Sequence, residues 1–235
     1  MTAVTAVTAV TATPDRRLLA AARRGDAVGV RAALADGART ETRDEELRSP
    51  LLLAVAGDHV ESARALVVAG ADVNALDARH DTPWLATGAT GSVAMLRVLL
   101  GGDPAPDLRL TNRFGGTSLV PAAERGHVSY VRAVLRETPI DVDHVDDLGW
   151  TALLAAVILG DGGPAHQKVV ALLLAAGADP GLADAHGTTA REHAERRGHT
   201  ALADLLRHPR AVPAARAALA RPGADLVHWL APGPV

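Results

Sequence analysis

Residues 57–77 read GDHVESARALVVAGADVNALD. The apolar residues Val60, Ala63 and Val67 recur at helical spacing, so they form one stripe of a short amphipathic helix over about 59–70. Gly70 stands where that helix must end, because a left-handed C-cap costs glycine least. The remainder, with Asp72, Asn74 and Asp77, is turn chemistry. Just upstream, Ser49-Pro50-Leu51 opens a second helix. The serine hydroxyl can accept an orphan N–H at the helix start, and proline at the first helical position has no N–H to leave unpaired.

The same grammar returns. Thr82-Pro83-Trp84, Thr117-Ser118-Leu119, Thr151-Ala152-Leu153 and Thr189-Ala190-Arg191 repeat the opening. The steps are 33 (49 to 82), 35 (82 to 117), 34 (117 to 151) and 38 (151 to 189) residues. Glycines at 25, 91, 126, 160 and 198 separate a first helix from a second. The second helix of the 127–137 segment carries Val128, Val131, Val134 and Leu135 on one face. A fixed period of this length means stacked supersecondary units, each unable to bury its apolar face alone.

These residues resemble the ankyrin repeat. GADVN (70–74), GADP (177–180) and GTTAREHAERRGH (187–199) follow that family's pattern closely. The resemblance covers about residues 15–208 in six units, roughly 15–47, 48–80, 81–115, 116–149, 150–187 and 188–208. It implies an all-α solenoid of stacked helix pairs with short β-hairpin turns. The turns and first helices would line a concave face. The first unit, RRLLAAARRGDAVGVRAALADGA (16–38), reads as an arginine-rich polar cap starting near Arg16. Where the family pattern TPLH has histidine, this chain has Leu52, Leu85, Val120 and Leu154, so the polar network implied by that histidine is expected to be absent.

The repeat is broken in a few places. A long connector, GGDPAPDLRLTN, spans 101–112, and about five residues are inserted between the helices of unit five around 160–165. After Leu206 the register stops. The proline-rich extension 209–235 contains two helix-sized segments, 213–220 and 224–230, and the apolar Val227, Trp229 and Leu230 suit it to cap the exposed end of the stack; the alternative is a partner-binding peptide, disordered when alone. Residues 1–14, rich in Thr, Ala and Val, read as a disordered tail and make a poor secretion signal.

Composition narrows the function. Aromatic residues are only 2% of the chain, so the core must be thin layers of Ala, Leu and Val. A net charge of −3 offers no strong field for nucleic acid. No segment approaches eighteen continuous apolar residues, so no membrane span is expected, and a cytoplasmic monomer follows by default. Arginine supplies nearly all the basic charge, Lys168 being the only lysine, which suggests a high-GC bacterial genome. There is no cysteine for a disulfide or thiolate site.

Reactive constellations are weak. His59, His127, His166 and His199 recur at the start of the second helix, which points to local capping. His80, His144 and His186 fall at separate turn positions, and neighbouring turns are about 10 Å apart in packed helix layers, too far for one metal. Asp143, Asp146 and Asp147 lack the spacing of a calcium loop and read as solvated turn carboxylates. The glycines at 88–92 and 160–164 lack the lysine of a phosphate loop. No catalytic, cofactor or metal residue is expected. Large apolar groups at turn positions are the sharper signal, because exposed aromatics anchor interfaces. Phe114 and Trp150 lie in consecutive turns, with Leu148 beside Trp150 and Arg79, Asp81, Arg113 and Asp147 around them; the alternative is that the two aromatics pack between adjacent turns within the stack. The expected function is non-catalytic binding of another protein, as adaptor, regulator or immunity-type inhibitor. The alternative is a small-molecule or enzymatic pocket among the connector, the unit-five insertion and the C-terminal extension.

Overall fold

A computed structural model describes residues 12–220. Six helices form one row: α1 (Pro14–Arg24), α3 (Pro50–Ala56), α5 (Pro83–Thr90), α7 (Leu119–Glu124), α9 (Ala152–Ile158) and α11 (Ala190–Arg196). Six form a second row behind it: α2 (Ala27–Ala35), α4 (Val60–Val68), α6 (Val93–Leu100), α8 (Val128–Glu137), α10 (Pro164–Ala176) and α12 (Thr200–Arg207). Each helix packs on its partner in the pair and on the same-row helix of each neighbouring unit. The core is the seam between the rows, filled by Leu18, Leu51, Leu66, Leu96, Leu119, Leu153 and Leu172 and by alanines that let the layers approach. The chain is therefore an all-α solenoid. Its turns close like hairpins, but among the described residues the sole strand-like pairing is an isolated bridge, Ala183 to Thr189.

The hydroxyl openings work as the sequence predicts. Ser49, Thr82, Thr151 and Thr189 each accept the backbone N–H three residues on, stabilising each helix by about 1 kcal/mol. Thr13 does the same ahead of Pro14, so the first unit opens on its own Thr-Pro pair, slightly earlier than Arg16. Thr117 does not. In the other units the opening residue's carbonyl accepts the N–H four residues later, but here that residue is Pro121, which has none. The Thr117 carbonyl accepts from Val120 instead, helix α7 starts after Ser118, and Thr117 Oγ1 is buried without a hydrogen bond.

The α4 stripe is rotated from the expected one. Ser62, Ala63 and Leu66 are buried, while Val60 and Val67 pack only at the margin. The sequence period locates an apolar arc; α3 behind and α2 and α6 alongside decide its centre.

The recurring histidines do not cap their own helices. His59, His127 and His199 occupy N-cap positions with no side-chain capping bond. His166 falls inside α10, because the insertion lets that helix start at Pro164. Three of the rings instead reach the preceding unit. Nε2–H of His59 donates to the Arg23 carbonyl (3.2 Å), that of His127 to Ala89 (3.2 Å) and that of His166 to Glu124 (2.9 Å). These carbonyls end α1, α5 and α7, so each ring satisfies an orphan acceptor one unit away. A Cβ on Gly25 or Gly91 would strike the His59 or His127 ring, so those left-handed glycines also make room for it.

Two further contacts set the stack. A Cβ on Gly88 of α5 would fall on the Ser118 carbonyl oxygen, so α5 and α7 touch through backbone there. Across the rows, the buried Tyr130 hydroxyl and Thr87 Oγ1 are 2.6 Å apart, and burial pushes the Tyr130 phenol up to about 12. Beyond α12, helix α13 (Pro213–Ala220) forms over the span expected, but it does not lie across the open end of the last unit. It turns back onto the outer helices α10 and α8, burying Val212, Ala215 and Ala218. Val227, Trp229 and Leu230, like the tail segment 1–11, lie outside the described residues.

Candidate binding groove

The projecting turns share one hydrogen-bonding rule. In the turns 44–48, 77–81, 112–116, 146–150 and 184–188, the first residue's N–H donates to the carbonyl four residues on. Its side-chain oxygen accepts the N–H of the third and fifth residues, for example Arg79 (2.7 Å) and Asp81 (2.9 Å) onto Asp77 Oδ1. Asp44, Asn112, Asp146 and Asp184 repeat this. Each finger is thus folded around one short polar side chain. The solvated-carboxylate reading of the 143–147 cluster needs correction on this point: Asp146 is buried and holds its finger, and Asp143 accepts the Asp179 N–H of the next unit at 2.9 Å. The third residue of each finger projects at the tip: Glu46, Arg79, Phe114, Leu148 and His186.

Between the first three fingers and α3, α5 and α7 lies a concavity of about 430 Å³. Leu52 and Leu85 form its floor, standing where the family pattern has histidine. Its charged lining is balanced, with Arg48, Arg79, Arg113 and Arg125 against Glu46, Asp77, Asp81 and Glu124. Three of these, Arg48, Glu46 and Asp77, are committed to local bonds. Arg48 pairs with Asp44 (2.8 Å) and Glu46 (2.9 Å), and Asp77 holds its finger. The Arg113 guanidinium carbon lies 4.3 Å from the Phe114 ring centroid. Asp81 is half-buried; burial pushes its carboxyl up, the neighbouring Asp77 charge adds to this, and Arg113 and Arg79 oppose it.

Of the residues singled out from the sequence, the structure brings Arg79, Asp81, Arg113 and Phe114 together in this groove. Asp147 and Leu148 stand on the next finger, outside its lining. Phe114 and Leu148 are about half exposed, at 49% and 52%. Trp150 differs: it is partly buried and packs against the core, because as the fifth residue of its finger it is drawn in by its N–H bond to Asp146 Oδ1. The floor and the far wall, including Glu124 and Arg125 at the C-terminal end of α7, were not singled out from sequence. Their place in the repeat register is the signal that would have found them.

The irregular segments do not converge. Asn74 clamps the connector to unit two, donating to the Ala105 carbonyl (2.9 Å) and accepting the Asp107 N–H (2.8 Å). The insertion is held by Asp161, which accepts from Gly163 N–H (2.8 Å) and from His166 Nδ1 (2.7 Å). The concavity nearest the C-terminal extension, about 280 Å³, is lined by Gln167, Ala201, Asp204, Leu205, His208 and Ala211 and includes no connector residue. Among the described residues no group of three or more His, Cys, Asp or Glu is placed to hold a metal, and no helix is long and apolar enough to cross a membrane.

Comparison with known proteins agrees with this architecture. The family model for three copies of the ankyrin repeat matches residues 84–184, and the single ankyrin repeat model matches 46–78. The chain is 40% identical over 189 residues to the Escherichia coli (strain K12) ankyrin repeat protein YahD, covering 80% of this chain and 92% of that one. A crystal structure of an ankyrin repeat domain from Acinetobacter baumannii AYE superposes with a TM-score of 0.75 at 44% identity, covering 82% of this chain and 96% of that one. The ankyrin repeat protein EF0377 gives a TM-score of 0.77 at 37% identity, covering 82% and 97%. The bacterial source expected from arginine usage fits the first two relatives. The repeats, the stacked helix pairs and these likenesses lead to one conclusion: the chain belongs to the ankyrin repeat family, whose members are generally protein–protein interaction modules.

Proposed function

We propose that this chain is a non-catalytic protein-binding module that holds a segment of a partner in the groove of units two to four. Phe114 forms the apolar rim and Leu148 extends it. The observation that carries this is the distribution of exposed large apolar side chains. Leu47, Leu76, Phe114, Val145 and Leu148 all lie on or beside the fingers, whereas Val28, Val68 and Leu159 are scattered over other elements. Apolar tips in a row beside a groove are what an interface anchor needs. An adaptor or regulator fits better than an inhibitor of a basic toxin, because four arginines and four carboxylates in the lining leave no net acidic face.

The test is capture of a partner from the native source by the wild-type chain, by Phe114→Asp with Leu148→Asp, and by Val68→Asp on an outer helix. Capture is expected to survive the last and to be lost in the double variant, with melting unchanged in both. Equal capture by the double variant would remove the fingers as the binding face.

A further inference from the structure

Arg79 and Arg113 come from adjacent fingers and both act on the half-buried Asp81, yet neither forms an ion pair or a side-chain hydrogen bond with any described residue. Both residues are exposed. Arg113 is not free to wander, since its guanidinium carbon sits 4.3 Å above the Phe114 ring. Contact through the face of a guanidinium leaves its in-plane N–H donors available. An arginine held in this way has lost rotamer freedom before any ligand arrives, so a bidentate partner costs it little further entropy. Asp81 is less exposed than either arginine and feels both charges without accepting a hydrogen bond from them.

We propose that Arg113, prepositioned by Phe114, and Arg79 form a carboxylate clamp, and that the partner segment in the groove carries an Asp or Glu beside an apolar residue. The acidic side chain bridges the two guanidinia through charge-assisted bonds. Its apolar neighbour lies on the half of Phe114 that Arg113 does not cover and over Leu85 on the floor. A basic segment fits worse: the carboxylates left for it, Asp81 and Glu124, are less exposed than the unpaired Arg79 and Arg113. The clamp deepens the groove-binding reading and rests on it.

The experiment is selection of a random-peptide display library on the full chain, followed by affinity measurement of synthesised clones. Clones rich in Asp or Glu next to Leu, Ile or an aromatic residue are expected. Arg113→Gln and Arg79→Gln should each weaken them about tenfold, the scale of a lost charged hydrogen bond. Asp81→Asn should tighten them, because it removes a negative charge that repels the incoming carboxylate. Added salt should weaken wild-type binding. Basic or uncharged clones, acidic clones indifferent to both arginine variants, or no enrichment would each overturn the clamp. Leu85→Glu separates this failure from failure of the groove itself. Non-acidic clones that Leu85→Glu abolishes keep the groove and reject the clamp, whereas clones of any kind indifferent to Leu85→Glu reject both.

Discussion

The backbone N–H of Asp147 donates to the carbonyl of Phe114 at 2.9 Å. Nε2–H of His144 reaches the neighbouring Gly115 carbonyl at 2.7 Å. Fingers 112–116 and 146–150 therefore stand as one ledge, and Phe114 and Leu148 occupy the same place on each half. The first two fingers are joined likewise, by the Ala78 N–H onto the Glu46 carbonyl at 3.0 Å.

The two aromatics of this ledge should separate by stability. Phe114 is about half exposed and its backbone carries the tie, so Phe114→Ala should change unfolding free energy by less than about 0.5 kcal/mol. Trp150 packs on the core, and Trp150→Ala should cost roughly 2 kcal/mol, below the range for a fully buried tryptophan. Urea unfolding of the two single variants measures this. Equal losses would mean that Phe114 is a packing residue.

The fourth finger residue is left-handed throughout: Gly115, Gly149 and Gly187, but also Leu47 (φ 60°) and His80 (φ 60°). A side chain there costs about 1–2 kcal/mol, and glycine gives back part of this through its flexible unfolded chain. Leu47→Gly and His80→Gly should each raise stability by about 0.5 kcal/mol. Gly149→Ala should lower it by about 1 kcal/mol or more. A guanidinium unfolding series with the three variants settles both signs.

Asp184 anchors the last finger. The N–H groups of Thr188 and His186, together with the ring of His193 at 2.7 Å, hold its carboxyl down at about 2. A depressed carboxyl pKa adds stability above the unfolded value of 3.8 and loses it as pH falls toward 2. Asp184→Asn keeps an acceptor for both N–H groups, as Asn112 does in its own finger, and removes the charge together with the Oδ2 acceptor of the His193 ring. The variant should melt below wild type at pH 6, with the gap closing between pH 4 and pH 2. A gap independent of pH would show that the carboxylate charge contributes nothing.

The openings Ser49, Thr82, Thr151 and Thr189 were legible because capping is local: the hydroxyl acceptor and the N–H donor lie within four residues. Phe114 was legible as a tip for the same reason. The histidines were misread because their acceptors at residues 23, 89 and 124 lie one unit away, and a recurring position says nothing about which neighbour it faces. Thr117 failed through Pro121, a local cause visible in the sequence.

The sequence by itself determined the six units, their helix pairs and the finger turns, since each rests on contacts closed within one period. The tertiary structure alone decided what the stacking brings together. It turned Trp150 inward, laid α13 along the back instead of across the end, and set Arg113 on Phe114 beside Arg79 and Asp81. Side chains from separate units meet only after the layers pack, and no spacing along the chain encodes the direction in which each one points.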